Sequence, residues 1–167
     1  MRQHCSTMES VIARGFTEQD RADVVALLRE YEAGLGVSLC FQGFTAEVDG
    51  LPGGYAPPRG QMLLARDARD GRLIGMVALR PVRCDLSLCE MKRLYVRASG
   101  RGQGLGRRLA LAAMGEARAI GYRRMCLDTL PGMTEARELY RSLGFTQTGT
   151  SRSEPTVLLY ERELMPS

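Results

Sequence analysis

The chain has 167 residues, 44% of them hydrophobic and 25% charged, with 19 glycines and 7 prolines. That is the size and composition of one globular domain able to bury about 70% of its unfolded surface, and it excludes a disordered chain, a collagen-like repeat and a coiled coil. The 23 basic and 19 acidic residues leave a net charge of +4, too small an excess, without interleaved aromatics, for a nucleic-acid surface.

The residues before Met8 read as a flexible tail without the apolar core of a signal peptide, which points to the cytoplasm. The longest apolar stretch, residues 109–114, is far too short for a bilayer, so no membrane role is expected. Residues 11–16 are a short β-prone run. Thr17 follows as an N-cap that Asp20 can answer three positions later. Val24, Leu27, Leu28, Tyr31 and Leu35 then recur at helical spacing, and Gly34 and Gly36 end the helix. Residues 37–59 are rich in glycine, proline and aromatics, with a helical turn expected near 45–51. A connection this long in a compact domain is often a binding loop. It is expected on the substrate side of a site, with Phe41 and Tyr55 meeting the substrate; a packing lid with no ligand is the equally weighted alternative.

The runs 62–65 and 73–79, joined by a turn ending in Asp70-Gly71, form a hairpin. Pro81 is expected to end the second strand, and residues 86–96 form a third. From Gly104 the period changes: Leu105, Leu109, Ala112, Ala113 and Ile120 share one helical face, which Gly121 terminates. A strand at 125–128 precedes a helix capped by Thr134, with Ala136, Leu139, Tyr140 and Leu143 facing inward. Strands at 145–148 and 156–163 finish the chain. The order predicts a single α+β domain around a mixed sheet, with no repeat and no linker.

Five cysteines (Cys5, Cys40, Cys84, Cys89, Cys126) are odd in number and scattered, and the one histidine is His4. Zinc-type spacing is absent, so no metal is expected, and the cysteines read as buried small hydrophobes in a reducing compartment. Cys89 and Cys126 have no histidine placed to activate them as covalent relays.

Residues 94–108 carry the chemistry. A strand enters a loop with glycines at 100, 102, 104 and 106, which opens a long helix. Glycines let backbone N–H groups converge, and the helix start adds unpaired donors and the positive end of its dipole. With Arg101, Arg107 and Arg108 nearby, this is a site for a polyphosphate. A P-loop would need Gly-Lys-Ser or Gly-Lys-Thr, and a dinucleotide fold a different glycine spacing; neither is present.

Arg101-Gly102-Gln103-Gly104-Leu105-Gly106 reads as R-x-x-G-x-G and resembles the acyl-CoA pyrophosphate loop of the GNAT superfamily of N-acetyltransferases. Residues 90–96 look like that family's fourth strand, and 136–145 like its last helix and following strand. The resemblance spans about residues 60–164. It implies a mixed, mostly antiparallel sheet of about seven strands, with helices on both faces and a cleft where strands 4 and 5 splay apart. It also implies acetyl-CoA as cosubstrate, its pantetheine arm along Leu94, Tyr95 and Val96. Its pyrophosphate would lie against Arg101, Gly102, Gln103, Gly104, Leu105, Gly106 and Arg107. Tyr140 stands where the family commonly has its general acid; a core tyrosine with a satisfied hydroxyl is the alternative. Glu90 is the candidate general base, and strand alternation puts it on the face of Leu94 and Val96 unless a bulge intervenes. Its alternative is a strand-face charge paired with an arginine. Met133 stands where many members have an asparagine, so no role passes to it.

The expected activity is direct acetyl transfer, in a ternary complex, to the amine of a small, amino-acid-like or otherwise acidic molecule. A protein N-terminus or lysine as acceptor, or a non-catalytic acyl-CoA sensor, are the alternatives. Members frequently dimerise, so a homodimer is the resemblance-based expectation.

Overall fold

Leu63, Ala65, Val77 and Leu79 alternate with Met62, Leu64, Met76 and Ala78, and all eight are buried. Both faces of the central hairpin are therefore apolar, and both must be covered by other elements. The computed structural model describes residues 8–39 and 43–164, so Phe41 and nearly all of the expected tail lie outside the described residues. The elements are β1 (Ser10–Arg14), α1 (Arg21–Leu35), α2 (Phe44–Asp49), β2 (Gln61–Asp67), β3 (Leu73–Val82), β4 (Asp85–Val96), α3 (Leu105–Ile120), β5 (Arg124–Thr129), α4 (Thr134–Ser142), β6 (Thr146–Thr150) and β7 (Leu158–Glu163). Seven strands form one sheet in the order β1-β2-β3-β4-β5-β7-β6. Every pairing is antiparallel except β4 with β5. This is the mixed α+β sheet that the chain order predicts.

On one face α1 and α2 bury Val24, Leu27, Leu28, Phe44 and Val48 against Met62, Leu64, Met76 and Ala78. On the other, Leu109, Ala110, Ala113 and Met114 of α3 and Tyr140 of α4 pack with Leu63, Ala65, Val77 and Leu79. The Asp20 carboxylate accepts from Thr17 N and Oγ1 at 2.8 and 3.0 Å, as the capping pattern predicts, with one 3₁₀ turn before α1. Three local expectations are corrected. The helix within 37–59 spans Phe44–Asp49, followed by a 3₁₀ turn at Gly53–Tyr55. Pro81 does not end β3, because the register shifts beside it and a missing N–H is tolerated at such an irregularity. Thr134 is the first residue of α4, and Met133 occupies the N-cap.

Two features of β4 position the site. Ala78 pairs with Lys92 and Met76 with Tyr95, so β4 spends three steps where β3 spends two. The extra residue is a bulge around Arg93, whose φ is 59°. The bulge inverts the alternation beyond it. Glu90 and Lys92 share the face of Arg80, Ala78 and α1, whereas Val96 lies with Gly75 on the opposite face and Leu94 packs into the α3 core. The expectation that Glu90 shares a face with Leu94 and Val96 is thus overturned. The second feature is the parallel pairing of β4 and β5, which ends at Glu90 opposite Cys126. Both strands continue, to Val96 and Thr129, without pairing to each other, and a wedge opens between them.

Candidate active site

The wedge continues into a groove of about 600 Å³ that reaches the glycine loop. Gly102 and Gly104 hold φ at +79° and +72°, a left-handed backbone that favours glycine. The first helical bond at this end of α3 runs from Arg108 N to the Gly104 carbonyl at 3.0 Å. The N–H groups of Leu105, Gly106 and Arg107 therefore have no acceptor one turn back, and they stand at the positive end of the helix dipole. Arg101 Nε donates to the Val96 carbonyl at 2.8 Å, and its guanidinium lies 5.6 Å from the centre of the Tyr95 ring. Of the residues predicted to hold a cofactor, Leu94, Tyr95, Val96, Arg101, Gly102, Gly104, Leu105 and Gly106 line this groove. The other two stand aside. Gln103 borders a separate hollow beside Ser10 and Arg108, and the Arg107 guanidinium donates to Ser142 Oγ at 2.9 Å.

At its inner end the groove meets a cavity of about 40 Å³ between the splayed strands. Tyr31 of α1, Lys92 and Leu94 of β4, Asp128 of β5 and Tyr140 of α4 are among its walls. Tyr140 is 8% exposed and packs its ring against Phe145 and Tyr160, at centroid distances of 6.0 and 6.4 Å. Its hydroxyl has no hydrogen-bond partner among the described residues, yet no polar side-chain atom there is sealed off without one. The hydroxyl thus opens onto the cavity, unlike that of a satisfied core tyrosine. Burial, helped by the charges of Tyr31 and Asp128, pushes the phenol well above its ordinary pKa, so it stays protonated at neutral pH.

Glu90 sits just behind this cavity wall. Its Oε2 accepts from Arg80 Nε and Nη2, both at 2.9 Å, and its Oε1 lies 3.6 Å from Lys92 Nζ. Lys92, with its side chain 4% exposed, also reaches Asp128 Oδ1 at 3.4 Å. Arg80, Glu90, Lys92 and Asp128 form a row of alternating charge. Glu90 therefore has the arginine partner that its structural alternative requires, and Lys92 and Asp128 are the members that line the cavity.

Behind the bulge lies a second network. Arg93 Nε and Nη2 donate to the Glu47 carboxylate at 2.8 and 3.1 Å, and its guanidinium stands 5.1 Å from the Phe44 ring. Burial opposes the Arg93 charge, but Glu47 outweighs it and holds the guanidinium ionised. Glu47 also accepts from the Tyr55 hydroxyl at 2.9 Å. Tyr55 is 3% exposed and lines not this groove but a separate hollow beside Glu47 and Arg80. Burial pushes the thiols of Cys89 and Cys126 up to about 12, which keeps both protonated and unreactive as nucleophiles.

Sequence reasoning missed Asp128, Lys92 and Tyr31. Tyr31 sits within an apolar helical stripe, the pattern of a core residue. Asp128 carried a usable signal, a carboxylate breaking an apolar strand just where the strands part. No helix among the described residues is long and apolar enough to cross a membrane.

Residues 39–145 match the family model for the acetyltransferase (GNAT) family. The chain is 41% identical over 130 residues to an uncharacterised N-acetyltransferase of Schizosaccharomyces pombe, covering 78% of each. It is 30% identical over 141 residues to an uncharacterised N-acetyltransferase of Escherichia coli, covering 82% of this chain and 83% of the other. In fold it is similar to a GNAT acetyltransferase of Staphylococcus aureus, with a TM-score of 0.76 over 94% of this chain and 100% of that one, at 15% identity. With a glycine loop at a helix start, strands that part beside it and these relatives, the chain belongs to the GNAT family of N-acetyltransferases.

Proposed function

We propose that the chain transfers an acetyl group from acetyl-CoA to the primary amine of a small molecule, directly and within a ternary complex. The observation that carries this reading is the continuous groove from the glycine loop, past the unpaired edge of β4, to the Tyr140 hydroxyl. The N–H groups at the start of α3, with Gly102 and Gly104, suit a pyrophosphate. Leu94, Tyr95 and Val96 offer backbone groups to the amides of a pantetheine arm. An inner cavity of about 40 Å³ suits a two-carbon acyl group rather than a long chain.

An aliphatic amine arrives mostly protonated, since its pKa is about 8 to 10. Glu90, acting through water, accepts one ammonium proton; such assistance is typically worth about 10²- to 10⁴-fold. The freed nitrogen attacks the thioester carbon, so the C–N bond forms as the C–S bond breaks. Tyr140 hydrogen-bonds the departing sulfur and passes it a proton as negative charge develops there. The second ammonium proton returns through solvent to the phenolate and restores the phenol, and Glu90 releases the first to bulk water, so one proton is set free per turnover. Because burial makes this phenol a weaker acid than a thiol, its first contribution is the hydrogen bond.

The test is mass-spectrometric detection of acetylated product from a panel of primary amines with acetyl-CoA, run beside Tyr140→Phe. The wild type is expected to form product. The variant should lose about 10²- to 10⁴-fold in kcat while binding acetyl-CoA normally by calorimetry. Tight acetyl-CoA binding without product from any amine would overturn the small-amine reading.

A further inference from the structure

We propose that Asp128 is the carboxylate that receives the ammonium group of the acceptor; this rests on the acetyl-transfer reading above. Three observations lead to it. Asp128 is the only carboxylate among the described residues that line the inner cavity, and Glu90 is not one of them. It lies on β5 two residues beyond Cys126, the last rung paired with β4, so the parting of the strands uncovers it. Its charge acts on the hydroxyls of both Tyr31 and Tyr140, which places it within electrostatic reach of the group that faces the departing sulfur.

The row of charges adds direction. Arg80, Glu90, Lys92 and Asp128 alternate in sign at separations of 2.9, 3.6 and 3.4 Å, which brings a negative group to the cavity wall. A cation continues that alternation; an anion meets like charge. The groups facing Asp128 are Lys92 on β4, Arg93 at the bulge, Tyr31 on α1 and Tyr140 on α4. Arg93 is paired with Glu47, and Lys92 stands between Glu90 at 3.6 Å and Asp128 at 3.4 Å. The acceptor class is therefore a cationic primary amine.

The experiment measures binding without turnover. CoA-loaded protein is titrated with n-butylamine and with its neutral isostere 1-butanol, followed by NMR, for wild type, Asp128→Asn and Asp128→Glu. Wild type should prefer the ammonium by about tenfold or more, the size of one charge-assisted hydrogen bond. Asp128→Asn should bind the two probes equally, and Asp128→Glu should recover part of the preference. A preference that survives in Asp128→Asn, equal loss of both probes, or no preference in wild type would each overturn the assignment. If the preference depends on Asp128 yet no amine is acetylated, the transfer reading fails and the ammonium site stands.

Discussion

The two ends of the groove are built from different materials. The glycine-loop end is made of backbone: left-handed turns at Gly102 and Gly104 and the unbonded N–H groups that open α3. The inner end is made of side chains that meet across the fold. Arg93 and Glu47 are 46 residues apart in the chain, and Lys92 and Asp128 are 36 apart. A backbone site needs only a short stretch of sequence and tolerates change elsewhere. A side-chain site depends on every register that brings its members together.

That contrast makes measurable claims. The largest effect on stability is expected at the inner end. In Glu47→Ala the Arg93 guanidinium, its side chain 2% exposed, would stay buried with its carboxylate partner gone. Breaking a buried pair in this way typically costs about 3–5 kcal/mol. Urea denaturation should show that loss, and a cost near zero would mean that the network does not hold α2 on β4.

At the glycine loop the balance reverses. A Cβ at Gly104 meets nothing within 4 Å, so Gly104→Val is strained only by its φ of +72°. The expected cost is about 1–2 kcal/mol, whereas acetyl-CoA affinity by calorimetry should fall by about tenfold or more as the N–H groups turn away. If Gly104→Val destabilises the fold more than Glu47→Ala does, the contrast between the two ends is wrong.

The smallest effect is expected where side chains pair locally. Asp67 accepts from the Arg69 guanidinium at 3.1 and 2.9 Å and from Arg69 N at 2.9 Å, which together hold its pKa at about 2, below the ordinary 3.8. A carboxylate depressed in the folded state stabilises fully above its unfolded pKa and loses that contribution as pH falls through its folded one. Asp67→Asn should therefore lower Tm slightly at neutral pH, and the gap should close as pH falls from about 3.8 towards 2. A gap that is constant across this range would assign the effect to something other than the carboxylate charge.

Much of the fold was legible because its signals are short-range. The Asp70-Gly71 hairpin, the apolar stripes of α1 and α3, and the glycines ending α1 and α3 are written within a few residues of where they act. So was the loop that opens α3. Tyr140 was singled out through resemblance to a family, and Glu90 as a carboxylate placed by strand alternation beside Leu94 and Val96. The bulge decided which face Glu90 occupies, and nothing local in residues 90–96 announces it. Tyr55 looked like a loop aromatic until α2 placed Glu47 over its hydroxyl.

By itself the sequence determined the element order, the two-sided apolar sheet and the glycine-rich loop that opens α3, because periodicity, glycine conformation and helix starts are properties of neighbouring residues. Only the tertiary structure decided that Arg93 bulges, that β4 and β5 part after Glu90, and that Asp128 meets Lys92 at the cavity wall. Strand register is set by partners far away in the chain, and one extra residue in a strand exchanges its two faces.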